Sequence, residues 1–547
     1  MSDIRGELVY AALDRSIIST DFDIYDDIHK RHEFQKQIIL ADKSLTNDEK
    51  TDAIKKINKT YDKNKIRRNE GTRRVCENCN QECLATLYCE YCVQNYLKAN
   101  FSNWTSGNND IDNLIQKCQS ETLLPEMIIE WIPYNNLQNI KYLTKGGFSN
   151  IYAAVWIDGH YIEWDFKEQK LIRFGEQKVV LKGLENVESA NQRWFEEAKS
   201  HFNISNKWPQ IVQCYGLTQS PSNGNYMLVI DIMNTDLRKY LQQNQLTWKE
   251  RINIAYNISV ALRAIHREGA IHRDLHSGNI LYSQLKQKWV ISDLGFCGPA
   301  DKSSDSIYGN LPYIAPEVIS GKNTTIKSDI YSIAMLMWEI SSGQPPFNEY
   351  ENDYNLALKI INGMRPKVIE GTPLEYENLM KQCWDAAPSK RLSLGALFDG
   401  IYELRQSYQN TSNESTQLET NSNLKTNKTN ITITNYTNSS KLSTSKIYQF
   451  KNLPEPRNAT EEEQEAFHSK SYDCFNIPDN IDDFTNSSNQ NYDTTSKTDK
   501  INYGKEIVEQ QQINKYNVKI DDDDEIYDEK NFHSEEQDKS EIPDDGF

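Results

Sequence analysis

Ile271-His-Arg-Asp-Leu-His-Ser-Gly-Asn-Ile-Leu281 and, shortly after it, Ile291-Ser-Asp-Leu-Gly295 each set polar groups in a short loop between apolar, strand-like runs. Two carboxylates and an amide converge there. Asp274 is placed to orient and deprotonate a hydroxyl, while Asn279 and Asp293 offer the hard oxygen ligands that suit magnesium bridging triphosphate oxygens. Upstream, Leu143-Thr-Lys-Gly-Gly-Phe-Ser-Asn-Ile-Tyr152 reads as strand, glycine-bearing turn and strand, where small residues let backbone amides approach phosphate oxygens. Thirty-six residues after Gly146, the apolar strand Val179-Val-Leu-Lys182 ends in a lysine able to neutralise phosphate charge. An ammonium among apolar neighbours needs a partner. That partner is expected on the next helix, in Arg193-Trp-Phe-Glu-Glu-Ala-Lys199, as Glu197 in preference to Glu196.

With this order and spacing the chain resembles the eukaryotic protein kinases from about Leu143 to Leu404. The likeness extends to Ala315-Pro-Glu317, Asp329, Gly343-Gln-Pro-Pro-Phe347, Cys383-Trp384 and Arg391. The resemblance implies an α+β bilobal fold, with an antiparallel sheet and a helix in the N-lobe and a mainly helical C-lobe. It implies an ATP site lined by Leu143, Gly146, Gly147, Phe148, Ser149, Ile151 and Lys182, and Mg²⁺ (or Mn²⁺) on Asn279 and Asp293. It casts Asp274, Lys182 and Glu197 as catalytic, Glu317 and Arg391 as a structural ion pair, and Asp329 as a brace for the catalytic loop. The sequence around Asp274 and Asp293 looks like the tyrosine-kinase-like branch, many of whose members phosphorylate Ser/Thr, so protein Ser/Thr hydroxyls in intracellular signalling are the expected acceptors. Thr144 and Ser149 stand where the family usually has its first and third loop glycines. His276 replaces the lysine usual in Ser/Thr kinases, and Asn310 stands where they favour Thr. A tyrosine or dual-specificity kinase, or a pseudokinase scaffold, remains the alternative.

Outside this body, from 131 to 405, the 547-residue chain divides by composition. Residues 1–70 read as helical: helices are expected from about Tyr25 to Leu40 and Thr46 to Lys63, the second opened by a capping box in Thr46-Asn-Asp-Glu49. The basic run Lys63-Asn-Lys-Ile-Arg-Arg68 reads as a solvated helix end. Within 71–100, Cys76, Cys79, Cys89 and Cys92 form two Cys-x-x-Cys knuckles expected to hold one structural Zn²⁺, with Cys83 as a competing ligand. Five cysteines and no histidine are too few for a two-zinc ring. Residues 101–130 are expected to be a linker. Between Trp156 and Lys178 the chain is longer than a hairpin needs, with Asp158-Gly159 as a tight-turn signal, and reads as a surface elaboration.

Beyond residue 406 the composition changes: 20 of the 30 residues in 411–440 are Asn, Ser or Thr, and acidic runs such as Asp521-Asp-Asp-Asp-Glu525 follow. Such sequence buries too little apolar surface to offset about 1–2 kcal/mol of backbone ordering per residue, so 406–547 is expected to be a disordered tail. Net charge is 61 − 79 = −18, of which 411–547 contributes 14 − 28 = −14, leaving −4 for the body. That balance argues against nucleic acid and anionic membranes as partners. Expected partners are protein substrates, and proteins met through the N-terminal module or the tail. With no apolar run of about 18 residues and no signal-like start, a cytoplasmic or nuclear setting is expected, where cysteines are thiols or metal ligands. Ser303, Ser304, Ser306 and Tyr308 lie between the metal ligand Asp293 and Glu317; activation by phosphorylation there, foremost on Ser306, is expected, with Arg273 to receive the phosphate.

Overall fold

The structure is a computed structural model that describes residues 4–21, 24–122, 124–145, 149–184, 193–205, 207–298, 307–414 and 445–469. Met1–Ala459 form one compact unit. It opens with three helices, α1 (Gly6–Ile18), α2 (Ile28–Ala41) and α3 (Asn47–Arg68), closed around Val9, Ala12, Ile39, Leu45, Ala53 and Ile57. The capping box at α3 forms: Thr46 Oγ1 accepts from the Glu49 amide at 3.3 Å, and Glu49 Oε2 accepts from the Thr46 amide at 2.8 Å. α1 has no side-chain cap, which is why no start signal marked it in the sequence. The basic run ending α3 departs from a solvated end. Lys63 and Lys65 are buried, and Lys65 Nζ donates to the Leu84 carbonyl at 2.6 Å and meets Asp62 at 3.0 Å.

A short ribbon, β1 (Arg74–Val75) with β2 (Glu82–Cys83), leads into α4 (Glu90–Ala99) and then α5 (Asn109–Ser120). The expected linker therefore contains a helix. Ile111, Ile115 and Cys118 recur at helical spacing, and they share a core with Ala198 and Phe202 further along the chain, which gives the segment enough apolar burial to fold.

The N-lobe sheet has six strands: β3 (Glu130–Trp131), β4 (Leu137–Lys145), β5 (Asn150–Trp156), then, after the β6 (Tyr161–Asp165) and β7 (Lys170–Arg173) hairpin, β8 (Gln177–Gly183); α6 (Arg193–Ser205) intervenes before β9 (Cys214–Gln219) and β10 (Tyr226–Asp231). Their spatial order is β3-β9-β10-β8-β5-β4, antiparallel throughout except for β3, which runs parallel to β9. The period-2 alternation of β8 puts Val179 and Leu181 into a core with Trp156 and turns Lys182 to the opposite face. The β6–β7 hairpin fills the long connection between Trp156 and Lys178; its tip is exposed, but one face is buried. Trp164 and Leu171 are buried against Cys76, Cys89 and Val93, so the cysteine segment and the N-lobe share one core.

The C-lobe runs through β11 (Thr235–Asp236), α7 (Leu237–Gln243), α8 (Trp248–Arg267), β12 (Ile280–Ser283), β13 (Lys288–Ile291), β14 (Ile307–Gly309), α9 (Pro316–Ile319), α10 (Ile326–Ser342), α11 (Tyr354–Ile361), α12 (Leu374–Cys383) and α13 (Leu394–Glu414). α10 is buried almost along its whole length and forms the spine of the lobe.

A tail unstructured from residue 406 is not what is found in three places. α13 continues to Glu414, and β15 (Lys446–Tyr448) pairs antiparallel with β14. Alternating apolar residues in Lys446-Ile-Tyr-Gln-Phe450 carry this strand, and its backbone partners come from the C-lobe, so its order needs no core of its own. From Thr460 a separate unit begins, in which Thr460 and Glu463 cap α14 (Glu461–Ser469). The rest of the tail, 415–444 and 470–547, lies outside the described residues. No described helix is long and apolar enough to cross a membrane.

Candidate active site

The loop between α8 and β12 is held by Asp329 of α10, whose carboxylate accepts from the amides of His272 at 2.9 Å and Arg273 at 3.0 Å, and pairs with His266 Nε2 at 2.8 Å. Arg273 and Asp293 both sit at positive φ, +68° and +58°. Side chains rarely adopt that conformation without surrounding structure to enforce it. Asn279 Nδ2 donates to the Asp274 carbonyl at 2.9 Å, tying the two ends of the loop together.

Lys182 Nζ lies 2.7 Å from Glu197 Oε1 and 2.5 Å from Asp293 Oδ1. Burial works to strip its proton, but the two carboxylates outweigh it and raise its pKa. Asp293, for which burial acts in the opposite sense, is held below the usual carboxylate range by the Lys182 ammonium. Glu196, the rival of Glu197 for this role, is exposed and lies 3.8 Å from Lys199. A side chain at Gly295 would put its Cβ 3.1 Å from the Glu197 carboxylate, so glycine there lets the loop close over this ion triad.

Asp274 is buried, and desolvation followed by the charge of Asp293 pushes its carboxyl up to about 7, against hydrogen bonds from Ser445, Tyr308 and the Asn310 backbone. His276 is driven down to about 3 by burial and by Arg238, so its ring is neutral. Its Nδ1 accepts from the Gly278 amide at 3.1 Å. Ser445 Oγ lies 2.8 Å from Asp274 Oδ1 and 3.2 Å from His276 Nε2. Nothing in the loop motifs pointed to Ser445; the signal that could have found it is the short alternating run beginning one residue later. Asn310 is buried, and among the described residues its side-chain amide has no hydrogen-bond partner. His201 of α6 was also missed. Burial keeps it neutral, at about 3, and its Nε2 accepts from the Leu294 amide at 3.4 Å, linking α6 to the Asp293 loop.

Leu143 is on β4, Ile151 on β5 beside Lys182, and Ser149 is buried immediately before β5. Gly146, Gly147 and Phe148 lie outside the described residues, as do Ser303, Ser304 and Ser306. Tyr308, described on β14, stacks on Phe296. Arg273 Nη1 donates to the Phe296 carbonyl at 3.0 Å.

Residues 137–401 match the family described as protein tyrosine and serine/threonine kinase. This stretch is a eukaryotic protein kinase domain. Among similar proteins, a putative serine/threonine-protein kinase/receptor of Acanthamoeba polyphaga mimivirus is 26% identical over 293 residues, 53% of this chain and 16% of the relative. A probable serine/threonine-protein kinase of Dictyostelium discoideum is 27% identical over 53% of this chain and 11% of its own length. A dual serine/threonine and tyrosine protein kinase of Danio rerio is 30% identical over 37% of this chain and 23% of its own. The chain thus spans less than a quarter of each of these relatives. In the kinase domain, the expected ion pair between Glu317 and Arg391 is bidentate and buried, at 2.8 and 2.6 Å.

A second cluster lies N-terminal to the kinase domain. Cys76, Cys79, Cys89 and Cys92 bring their sulfurs within 4.8 Å of one another, with Cys76–Cys92 at 3.7 Å and Cys79–Cys89 at 3.6 Å. A tetrahedron with Zn–S bonds of ~2.3 Å has S–S edges of ~3.8 Å, so the donor set fits zinc. Cys83 lies near Cys89 and Glu90, but the Glu90 carboxylate is engaged by the Leu84 amide at 2.8 Å.

Proposed function

We propose that the chain is an active protein kinase that transfers the γ-phosphoryl group of ATP to Ser/Thr hydroxyls of proteins in the cytoplasm or nucleus. The observation that carries this is Lys182 Nζ seated between Glu197 and Asp293, close to a loop that presents Asp274. A scaffold that only bound nucleotide would have no need to keep this triad together with Asp274. Lys182 positions the α- and β-phosphates, Glu197 holds Lys182, and Asp274 orients the acceptor hydroxyl and takes its proton. Leu143, Ser149 and Ile151 line the nucleotide, and Gly146, Gly147 and Phe148, outside the described residues, belong to the same set. Asn279 and Asp293 supply an amide and a carboxylate oxygen suited to Mg²⁺ (or Mn²⁺), which when bound neutralises phosphate charge. Catalysis by these groups is positioning and charge stabilisation. Zn²⁺ on Cys76, Cys79, Cys89 and Cys92 is structural in this reading. Dual specificity is the second reading, favoured by relatives such as the Danio rerio protein, whose name covers both hydroxyl types.

The test is radiolabelled transfer from ATP to a mixed peptide array by the intact chain and by Asp274→Asn, with phosphoamino-acid analysis of the products. Transfer by the intact chain alone, onto Ser and Thr, is expected. Equal transfer by both proteins overturns the enzymatic reading, and phosphotyrosine alone overturns the choice of acceptor.

A further inference from the structure

We propose that Ser445 is a phosphorylation site of this chain's own active site, and that residues 445–459 lie in the protein-substrate groove as a substrate bound in cis. The proposal rests on the reading of the chain as an active kinase.

The acceptor hydroxyl is already placed. Ser445 Oγ is 2.8 Å from Asp274 Oδ1, within the range for a base and the proton it removes. Because His276 Nδ1 accepts from the Gly278 amide, the neutral ring carries its proton on Nε2; this tautomer is assigned from the hydrogen-bond network. Nε2–H then faces Ser445 Oγ at 3.2 Å. The hydroxyl donates to the carboxylate and accepts from the imidazole, which fixes its rotation and leaves a lone pair for attack.

The backbone is placed as well. β15 extends β14 by strand addition, with Lys446 opposite Gly309, Ile447 opposite Tyr308 and Tyr448 opposite Ile307. Gly309 has φ +138°, a conformation that side chains rarely adopt, and a Cβ there would stand 3.2 Å from Ile314, so glycine lets β14 take the backbone that receives β15. At the end of the strand Tyr448 is buried and stacks on Phe450, which lies beyond it and meets Tyr354 edge-on at 6.1 Å. Arg457 N donates to the Ile361 carbonyl at 3.0 Å, Asn458 Oδ1 accepts from the Ala386 amide at 2.8 Å, and Glu455 pairs with Lys322. The C-lobe surface receives this segment closely: a Cβ at Gly363 would overlap the Ala459 amide.

In the transfer, the Ser445 oxygen forms a bond to the γ-phosphorus of ATP as the β–γ phosphoanhydride bond breaks. The electron pair of that bond leaves on ADP, and the hydroxyl proton passes to Asp274. The product carries about −1.5 to −2 charge beside Asp274 and Asp293. That repulsion unseats the strap and opens the groove, so the chain blocks other protein substrates until it has modified itself.

The experiment incubates phosphatase-treated full-length protein with Mg·ATP over a wide range of protein concentration. Ser445 is followed by mass spectrometry, and transfer to an added peptide mixture is measured in parallel. Ser445 is expected to be modified with a half-time independent of protein concentration, and not at all in Asp274→Asn. Tyr448→Ala, which loosens an anchor away from the reacting atoms, is expected to slow Ser445 modification about tenfold, equivalent to about 1.4 kcal/mol. The same variant should speed transfer to added peptides. Hydrogen exchange at 307–309 and 446–448 should rise once Ser445 carries phosphate. Phosphorylated peptides with an unmodified Ser445, or a Ser445 rate proportional to protein concentration, overturn the proposal while leaving the kinase reading intact. No transfer to either acceptor overturns both.

Discussion

The indole of Trp164, on the β6–β7 hairpin, stands edge-on to the ring of Tyr96 on α4, with centroids 5.8 Å apart and planes at 80°. This contact joins an insertion in the N-lobe to the helix that begins at the second cysteine knuckle. Lys55 on α3 reaches the same hairpin through Glu163, at 2.5 Å, and Arg173 pairs with Glu130 at 2.5 Å. The cysteine segment is therefore part of the kinase body's packing.

Metal removal should act beyond the knuckles. Structural zinc contributes apparent binding energies of about 10–16 kcal/mol in small domains at neutral pH, and here the folded site also supports Trp164 and Leu171. Metal analysis of the full chain is expected to find one zinc, unchanged in Cys83→Ser and lost in Cys89→Ser. Chelation should speed hydrogen exchange across 161–173 as well as 76–92; protection of the hairpin unaltered by chelation would show that the two do not fold together.

The kinase body was legible in the sequence because its chemistry sits in short loops with fixed spacing: Asp274, Asn279 and Asp293 lie within 20 residues, and Lys182 ends an apolar strand. The two knuckles and the capping box at Thr46 were legible for the same reason, as local patterns. What escaped was long-range. Ile111 and Ile115 had the helical period but no sign of which core they would join, and Trp164 and Leu171 sit in a hairpin whose partner comes from another segment. The strand at Lys446–Tyr448 is three residues long, and its order comes from β14, more than 130 residues earlier. Composition averaged over a polar, acidic tail cannot reveal it.

Breaking the Glu317–Arg391 pair should cost far more than a surface ion pair would. Both side chains are nearly inaccessible, and Arg391 also donates to the carbonyls of Asp385 and Lys327. Removing one partner strands the other charge in the interior, at about 3–5 kcal/mol. Arg391→Ala is expected to lower the urea midpoint sharply, and adding Glu317→Gln to it should cost much less than Glu317→Gln does alone. Additive losses would contradict the pairing.

Substituting Lys182 by Met should separate chemistry from folding. The side chain's bulk is kept, but Glu197 and Asp293 lose the ammonium between them. Peptide phosphorylation should fall by about 10²-fold or more, the scale set by loss of a preorganised charge partner. Circular dichroism should stay native. Glu196→Gln, at an exposed position, should leave the rate unchanged, whereas Glu197→Gln should lower it; the reverse order would move the partnership to Glu196.

Stability should rise with pH between about 7 and 10 because of Lys63. Burial, followed by the charge of Arg67, pushes its ammonium down to about 7, while Nζ donates to the Lys207 carbonyl at 2.5 Å. In the unfolded chain a lysine titrates near ~10.4. Across that window the unfolded state holds the proton and the folded state does not, so raising the pH removes a cost of folding, by at most about 1.4 kcal/mol per pH unit. Below pH 7 both states are protonated, and the penalty for a buried ammonium is present in full. Lys63→Met has no such proton to lose. Denaturant unfolding of wild type and variant at pH 7, 8 and 9 should therefore show the wild type gaining on the variant as pH rises, since other titrating groups cancel in the difference. A constant gap between the two proteins over this range would mean that Lys63 keeps its charge in the folded state.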